Sequence, residues 1–241
     1  MAALLCSAAV AVLCAASVPG SATPSLTHHS GEIHRAISAA PGSVTLYDQN
    51  DEDAGVAVIS TVFDDAGPTY PLYDAYAADD FRVPPGHRWK IREVDVTGTY
   101  ALGSDPPLQI DVQFYGSSKG LPSGFPLMDC WVSSFVENQG SFAIKLPRSC
   151  NAGLKGGKTY WLSVVPLMFQ DEWTWETRNS RNRNPAAWEN PGDGFGTGCT
   201  VWNVMTSCIS TDGVGPDFMF TLKGNDEIRT ALRTNQLRHS L

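Results

Sequence analysis

The chain has 241 residues, of which 42% are hydrophobic and 10% aromatic, which is enough apolar material for a packed core and excludes a disordered chain. Its formal net charge is −8. This excess of carboxylates argues against nucleic-acid binding and against docking on anionic lipid, because both need a basic surface.

The first 22 residues contain no charged side chain, and their apolar run breaks at Pro19-Gly20. This pattern predicts a secretory signal peptide at 1–22, cleaved near Ala22, and hence an extracellular protein. No Lys or Arg precedes the apolar run, so the true start codon is open, and a membrane anchor is the alternative. The run is short and rich in alanine, which favours a mature chain without stable membrane insertion.

Three regions follow the predicted signal peptide. Residues 23–43 are polar, rich in Ser, Ala and His, and are predicted to be a flexible leader. Residues 44–224 show strand patterns without a linker and are predicted to be one β domain. Residues 225–241 form a tail that is either a short helix capped by Asn225, with Ile228 on its apolar face, or a loose basic segment.

Alternation of apolar and polar residues predicts the strands. It is clearest at 108–115, where Ile110, Val112 and Phe114 share one face and polar residues form a face expected to be wet. Between Arg88 and Tyr100 the apolar phase slips at Arg92-Glu93, which predicts a β-bulge. Further strands are predicted at 56–63, 78–83, 128–137, 141–146, 158–165, 172–177 and 217–223.

Turns containing proline or glycine separate these strands. They are predicted at 84–86, 104–107, 122–124 and 155–157. About nine short strands with no convincing helix predict an all-β fold. The expected architecture is a two-sheet antiparallel β-sandwich, jelly-roll-like, with two disulfides.

Four cysteines follow the predicted signal peptide, and an even number in an exported chain predicts two disulfides. Three pairings exist, of which the local one, Cys130–Cys150 with Cys199–Cys208, is preferred. Each bridge would stabilise the fold by about 3 kcal/mol in the loop-closure model. A metal site is disfavoured because the cysteine spacings do not match zinc motifs and no histidine is near.

No catalytic residue is predicted. Of the five histidines, only His87 lies inside the β domain, in a turn, and we interpret it as a solvated turn residue. The chain has no Gly-x-Ser-x-Gly elbow, no His-Glu-x-x-His zinc motif and no phosphate-binding glycine loop. The sequence therefore favours a noncatalytic protein and leaves an enzyme as the alternative.

Two groups of acidic residues are candidates for chemistry. Asp48, Asp51 and Asp53 offer the oxygen ligands that calcium prefers, although the spacing fails the EF-hand template, and a solvated acidic loop is the alternative. Glu172 and Glu176 flank two tryptophans on one predicted strand. They are candidates to line the groove of a glycan-active hydrolase. In the adjacent pair Asp79-Asp80, at most one side chain is expected to face a given site.

Tryptophans and asparagines supply the candidate ligand-binding residues. An indole ring stacks on the C–H face of a sugar while amides and carboxylates bind its hydroxyls, and the loop after residue 178 is rich in Asn, Gly and Arg. The alternative is that Trp173 and Trp175 fill the core of the sandwich. The candidate residues are Trp173, Trp175, Trp188, Trp202, Asn184 and Asp193.

Several segments resemble a known family. They are Ala78-Asp-Asp-Phe-Arg-Val-Pro-Pro-Gly86, Val112-Gln-Phe-Tyr115, Asn184-Pro-Ala-Ala-Trp188, Gly194-Phe-Gly-Thr-Gly-Cys199 and Pro216-Asp217. Together they resemble an uncharacterised bacterial extracellular β-sandwich module, found in secreted proteins and appended to exported proteases. The resemblance implies export and an all-β fold, and it implies no activity. The tail after Gly224 departs from that pattern.

Three hypotheses of function follow. The first is a secreted noncatalytic binding or accessory domain whose partner is an extracellular glycan or a surface protein. The second is a glycan-active hydrolase that uses Asp or Glu. The third is a structural extracellular or surface protein. A fold alone does not choose among them.

Overall fold

The computed structural model describes residues 23–28, 34–35, 43–64, 70–101, 103, 105–150, 153–169 and 171–228. The predicted signal peptide, most of the second half of the predicted leader, and the tail beyond residue 228 lie outside the described residues.

The described residues form eighteen strands, one short α-helix and two 3-10 turns. The 3-10 turns are Tyr70–Tyr73 and Arg148–Cys150, and the helix, α1, is Met205–Cys208. The strands are β1 (Leu26–His28), β2 (Val44–Asp48), β3 (Asp53–Ile59), β4 (Val62–Phe63), β5 (Tyr76–Arg82), β6 (Arg88–Val96), β7 (Gly98–Tyr100), β8 (Gln109–Ser118), β9 (Leu121–Val132), β10 (Phe135–Asn138), β11 (Ser141–Lys145), β12 (Leu154–Lys155), β13 (Thr159–Met168), β14 (Trp173–Arg178), β15 (Ala187–Glu189), β16 (Asn203–Val204), β17 (Asp217–Phe218) and β18 (Phe220–Asp226).

The strands build a β-sandwich. One layer is a seven-stranded sheet in the order β16-β15-β5-β13-β8-β9, with β4 beside β13. The opposite layer contains a six-stranded sheet, β10-β11-β6-β18-β2 with β12 beside β6, and a five-stranded sheet, β1-β3-β14-β17 with β7 beside β14. Among the described strands every pair is antiparallel except β4 with β13. The predicted all-β sandwich is confirmed.

The second layer consists of two sheets that share two continuous stretches of chain. Strand β6 continues into β7 across Thr97, and β17 continues into β18 across Met219. The two linking residues bond to each other, from Thr97 N to Met219 O at 3.4 Å. Met219 N also donates to Glu176 O, in β14, at 2.9 Å. The sequence predicts two sheets, and the structure has three because each of these long strands changes sheet at a single residue.

Aromatic side chains fill the space between the layers. Phe81 from β5 packs edge-on against Phe114 in its own sheet and Phe220 in the opposite one, with ring centroids 6.2 and 6.5 Å apart. The odd-numbered residues of β5 therefore face the core, because successive side chains in a strand point to opposite sides. Gly98 lies against the ring of Trp173, where an added Cβ would be 2.4 Å from the indole.

The predicted bulge at Arg92-Glu93 is confirmed. Opposite it, Lys223 pairs with Glu93 and Gly224 pairs with Ile91, so Arg92 is the extra residue. The predicted turn at 122–124 is wrong, since these residues belong to β9. The chain reverses earlier, at Lys119-Gly120, whose φ angles of 53° and 79° suit a two-residue hairpin turn.

Both ends of the predicted β domain extend further than the sequence indicates. Part of the predicted leader is structured, because β1 lies within it and pairs with β3, with Leu26 opposite Val58. Asn225 is not a helix cap, because it is part of β18 and lies opposite Lys90. In both segments the edge of an existing sheet supplies backbone partners that the local sequence does not reveal.

The two predicted disulfides are confirmed, with Cys130 joined to Cys150 and Cys199 joined to Cys208. The first connects β9 to the turn after β11, and the second closes the segment between β15 and α1. No helix in the described part of the chain combines the length and the apolar character needed to cross a bilayer.

We expect Trp175→Ala to lower the free energy of unfolding by about 4 kcal/mol, because a fully buried indole leaves a large cavity and Met219 O loses its donor. Urea unfolding followed by tryptophan fluorescence measures this. Phe169→Ala is the control, since that ring is 57% exposed and its loss should cost less than about 0.5 kcal/mol. Equal stability of the two variants would contradict the assigned core.

Candidate functional site

Three of the predicted ligand-binding tryptophans lie in the core. Trp173, Trp175 and Trp188 have no exposed surface. Each indole N–H donates to a backbone carbonyl, to Gly140 O at 2.6 Å, Met219 O at 2.9 Å and Ile59 O at 3.0 Å respectively. These bonds satisfy the only polar group of each ring, so burial carries no hydrogen-bond penalty. The core alternative is correct for Trp173 and Trp175, and none of the three rings is available to stack on a ligand.

The predicted calcium ligands do not converge. Asp48 accepts from Thr221 Oγ1 at 2.8 Å, Asp53 accepts from Gly55 N at 2.8 Å, and Asp51 pairs with Arg178 at 2.6 Å. No group of three metal-ligating side chains occurs among the described residues. The structure therefore shows these aspartates in local hydrogen bonds and in an ion pair with Arg178, and the calcium site stays a prediction.

The predicted hydrolase groove at Glu172 and Glu176 is covered. Ser25 donates to Glu172 through its hydroxyl, and Thr27 bonds to Thr174, which lies between the two glutamates. Burial, followed by the charge of nearby Asp53, raises the pKa of Glu176 to about 8. The chain segment that leads into β1 therefore occupies the face on which a substrate would have to lie.

The three remaining candidates lie in the long segment after β14. Asp193 accepts from Gly198 N at 2.9 Å and shapes the loop. Asn184 donates to Asp80 Oδ2 at 2.6 Å. Trp202 is partly exposed and packs edge-on against Tyr115, with ring centroids 5.5 Å apart. The structure thus brings Asn184 and Trp202 to the seven-stranded sheet, on the side that faces away from the core.

We call this side of the seven-stranded sheet the outer face. Its residues lie opposite one another across neighbouring strands, with Trp161 between Asp80 and Tyr115, and Ser163 between Ala78 and Gln113. Asp129 lies opposite Gln113, Trp131 opposite Asp111, and Glu189 opposite Tyr76. The outer face includes Val165, which lies opposite Asp111, together with Tyr76, Ala78, Asp80, Asp111, Gln113, Tyr115, Asp129, Trp131, Trp161, Ser163, Ala187 and Glu189.

A line of hydrogen bonds runs along β8 on the outer face. Tyr115 donates its hydroxyl to Gln113 Oε1 at 2.5 Å, and Gln113 donates its amide to Asp111 Oδ2 at 2.6 Å. Asp129 on β9 lies opposite Gln113, next to this line. Burial, followed by the charge of Asp129, raises the pKa of Asp111 to about 7.

Two tyrosines and a glutamate complete this cluster. The charges of Asp111, Asp129 and Glu189 all act on the hydroxyls of both Tyr76 and Tyr115, whose pKa is raised mainly by burial. Burial also raises the pKa of Glu189 to about 7, and a hydrogen bond from the backbone of Trp202 reduces this increase. These groups come from four strands of the outer face, with Glu189 on β15 and Asp129 on β9 near opposite edges of the sheet.

Several buried polar atoms on the outer face have no hydrogen-bond partner. They include Asp80 Oδ1, Trp161 Nε1 and Ser163 Oγ. Trp161 and Ser163 have no exposed surface. Trp89 Nε1, in the core, likewise has no partner, so these atoms do not by themselves mark a binding site.

Exposed apolar side chains border the cluster on β9, the edge strand of the sheet. Trp131 is 48% exposed and Leu127 is 59% exposed. Trp131 lies directly opposite Asp111 and next but one to Asp129, so its ring adjoins the carboxyl pair. The outer face therefore combines a polar floor with an exposed aromatic ring at one edge.

A second polar cluster lies on the core side and is structural. Asp79 Oδ2 accepts from Gln49 Nε2 at 2.8 Å and from Phe218 N at 2.6 Å, and its Oδ1 accepts from Asp80 N at 2.7 Å. Tyr47 donates to Gln49 Oε1 at 2.6 Å. As expected from alternation, Asp79 and its neighbour Asp80 make their side-chain bonds on opposite sides of β5.

Sequence reasoning missed most of the outer face. The signal was present in β8, where a carboxylate, an amide and a phenol recur at every second residue. The face was expected to be wet, yet Asp111 is only 3% exposed and Gln113 7%. No protein-family model, curated protein or solved structure matches this chain.

We expect the free energy of unfolding to rise as the pH falls from about 8 to about 5.5. Asp111, Glu189 and Asp217 have a pKa raised to about 7, and Glu176 to about 8, each chiefly by burial. A carboxyl group whose pKa is raised on folding binds more protons in the folded state, so stability falls as pH rises from the unfolded pKa through the folded one.

Urea unfolding across this pH range should show a difference of at least about 2 kcal/mol. Asp217→Asn keeps the shape and removes one titrating group, so it should flatten the pH dependence. Stability that is constant, or that rises toward pH 8, would show that these carboxyl groups are not buried as described.

Proposed function

We propose that this protein is an extracellular, noncatalytic glycan-binding module, and that the glycan lies along the β9 edge of the outer face. The observation that carries the proposal is the half-exposed ring of Trp131, directly opposite Asp111 and two residues from exposed Asp129. A sugar ring offers a C–H face to an indole and hydroxyls to carboxylates and amides, so this combination suits it.

Part of the outer face is covered by the chain itself. Trp161 and Ser163 have no exposed surface, and Leu121 and Trp202 pack against the apolar cluster of Ala78, Tyr115, Trp161 and Ala187. The part that remains open is the β9 edge, where Trp131 is 48% exposed.

The geometry of the carboxyl pair favours binding over glycoside hydrolysis. A glycosidase needs its two carboxyl groups on opposite sides of the scissile bond, roughly 5–9.5 Å apart. Asp111 and Asp129 project from the same side of two neighbouring strands, so a sugar would lie over both carboxyl groups and not between them. The export implied by the two disulfides and by the resemblance to a bacterial extracellular module is part of this proposal.

The proposal predicts that Trp131→Ala abolishes retention of the purified protein on insoluble polysaccharides while leaving the fold intact. The matched control is Val136→Ala, which removes a side chain of similar exposure, 46%, from β10, the edge strand of the six-stranded sheet. Far-ultraviolet circular dichroism and urea unfolding check that both variants fold.

Retention of wild type and Val136→Ala, but not of Trp131→Ala, would support a glycan site on the outer face. Equal retention of all three proteins would place the site elsewhere. No retention of wild type on any polysaccharide would overturn the glycan proposal. Release of reducing ends by wild type would overturn its noncatalytic part.

A further inference from the structure

A positively charged surface lies where the β8–β9 hairpin meets the segment before β15. Lys119 is at the tip of the hairpin, and an added Cβ on its neighbour Gly120 would be 3.1 Å from Asn184 Oδ1. Arg183 precedes Asn184, so the exposed side chains of Lys119 and Arg183 project from two segments that are in contact. The chain as a whole has a net charge of −8, so this surface has the opposite sign to the rest of the protein.

Alternate residues of the segment before β15 have opposite environments. Asn182 and Asn184 are partly buried, and both donate their side-chain amides to groups of the domain at 2.6 Å. Arg181 and Arg183 are exposed. The two asparagines therefore anchor the segment and leave both guanidinium groups in solvent.

The backbone of Arg183 supports a role for its side chain. Its φ angle is 81°, in the left-handed region that residues with a Cβ rarely adopt because it costs free energy. The bonds made by the asparagines on either side hold this conformation. Strained residues of this kind cluster at functional sites, so the strain favours a function for the exposed guanidinium group.

Arg82 extends the positive surface onto the sheet. It is exposed and lies two residues after Asp80 on β5, so both side chains project from the same side. Asp80 is itself fully buried and accepts from Asn184. Burial raises the pKa of Asp80 to about 6, and the charge of Arg183 opposes this increase, so Arg183 lies near the same carboxyl group. We call the four exposed cations Arg82, Lys119, Arg181 and Arg183 the cationic surface.

The chemistry of the cationic surface suits an anionic polymer that also offers hydroxyls. Guanidinium groups bind carboxylate and sulfate groups through paired N–H donors. Ser117 and Ser118, which precede Lys119, are exposed and add hydroxyl groups that donate or accept hydrogen bonds. Duplex DNA carries about one charge per 1.7 Å, and the rest of this acidic chain would repel so dense an anion. An acidic polysaccharide, whose charges are separated by sugar rings, is repelled less.

We infer that the cationic surface is a binding site for an acidic polysaccharide, whose carboxylate or sulfate groups pair with Arg82, Lys119 and Arg183. This site goes beyond the one proposed at Trp131. The two lie at opposite ends of β9, since the hairpin tip directly precedes Leu121 and Trp131 is next to the last residue of the strand. Exposed Asp129 beside Trp131 disfavours an anion there, so each site has its own chemistry.

The test measures binding of the purified protein to four soluble probes. Polygalacturonate carries carboxylates, dextran sulfate carries sulfates, dextran is uncharged, and a single-stranded oligonucleotide carries phosphates. Titration calorimetry at about 0.1 M salt keeps electrostatic contacts measurable. We expect binding to an acidic polysaccharide with a Kd at least about tenfold lower than for the oligonucleotide, and no binding to dextran. Binding of only one of the two acidic polysaccharides would support the inference and identify the anionic group.

Charge variants separate the site from nonspecific attraction. Lys119→Gln with Arg183→Gln removes two positive charges from the cationic surface. The matched control, Lys145→Gln with Arg148→Gln, removes the same charges from exposed positions at the end of β11 and in the turn after it. The site variant should bind the acidic polysaccharide at least about tenfold more weakly than wild type, and the control should bind like wild type. Urea unfolding checks that both variants fold.

The outcomes also distinguish this inference from the proposed function. Equal weakening by the site variant and the control would show a nonspecific attraction and overturn the inference. Binding to the oligonucleotide as tight as to the polysaccharides, or no binding to either acidic polysaccharide, would overturn it as well. Trp131→Ala should bind the acidic polysaccharide like wild type, and a loss in that variant would contradict a separate site. Retention on insoluble polysaccharides through Trp131 is measured independently, so either proposal can fail while the other stands.

Discussion

The carboxylate of Asp79 is the contact on which the packing of the two layers depends. It is fully buried, and it accepts hydrogen bonds from Gln49, just after β2, and from Phe218 N in β17, while it belongs to β5 of the opposite layer. A buried carboxylate is stable only with such donors, so the three elements are held in one arrangement. Burial, followed by the charge of Asp217, raises the pKa of Asp79 well above its usual range.

The same strand places the candidate site. Because Asp79 points into the core, its neighbours Ala78 and Asp80 point outward, and so do the residues that lie opposite them on β13 and β15. On the core side, Tyr47, Gln49 and Asp79 are joined by hydrogen bonds that fix the two layers. On the outer side, the same sheet brings Asp111 and Asp129 beside the half-exposed ring of Trp131, which is the candidate site.

Aromatic residues divide in the same way. Trp173, Trp175 and Trp188 face the opposite layer, where each indole N–H reaches a backbone carbonyl, so they stabilise the sandwich. Trp131 lies on an edge strand and points away from the core, with 48% of its surface exposed. The side of the sheet alone does not decide exposure, because Trp161 also projects outward and is fully buried in the cluster against which Trp202 packs.

The sequence by itself determined the all-β class, most strand positions, the bulge at Arg92-Glu93 and both disulfides, because alternation and short cysteine spacings are local signals. It left open whether Trp173 and Trp175 fill the core or bind a ligand, and the structure places both indoles in the core. It also left open whether Asp48, Asp51 and Asp53 bind calcium, and the structure shows Asp51 paired with Arg178. Only the tertiary structure decided these points, since the partners that bury Trp175 or pair with Asp51 are residues 44 and 127 positions away. The cluster of Tyr76, Asp111, Asp129 and Glu189 comes from four different strands, and no local pattern reveals which strands a sheet brings together.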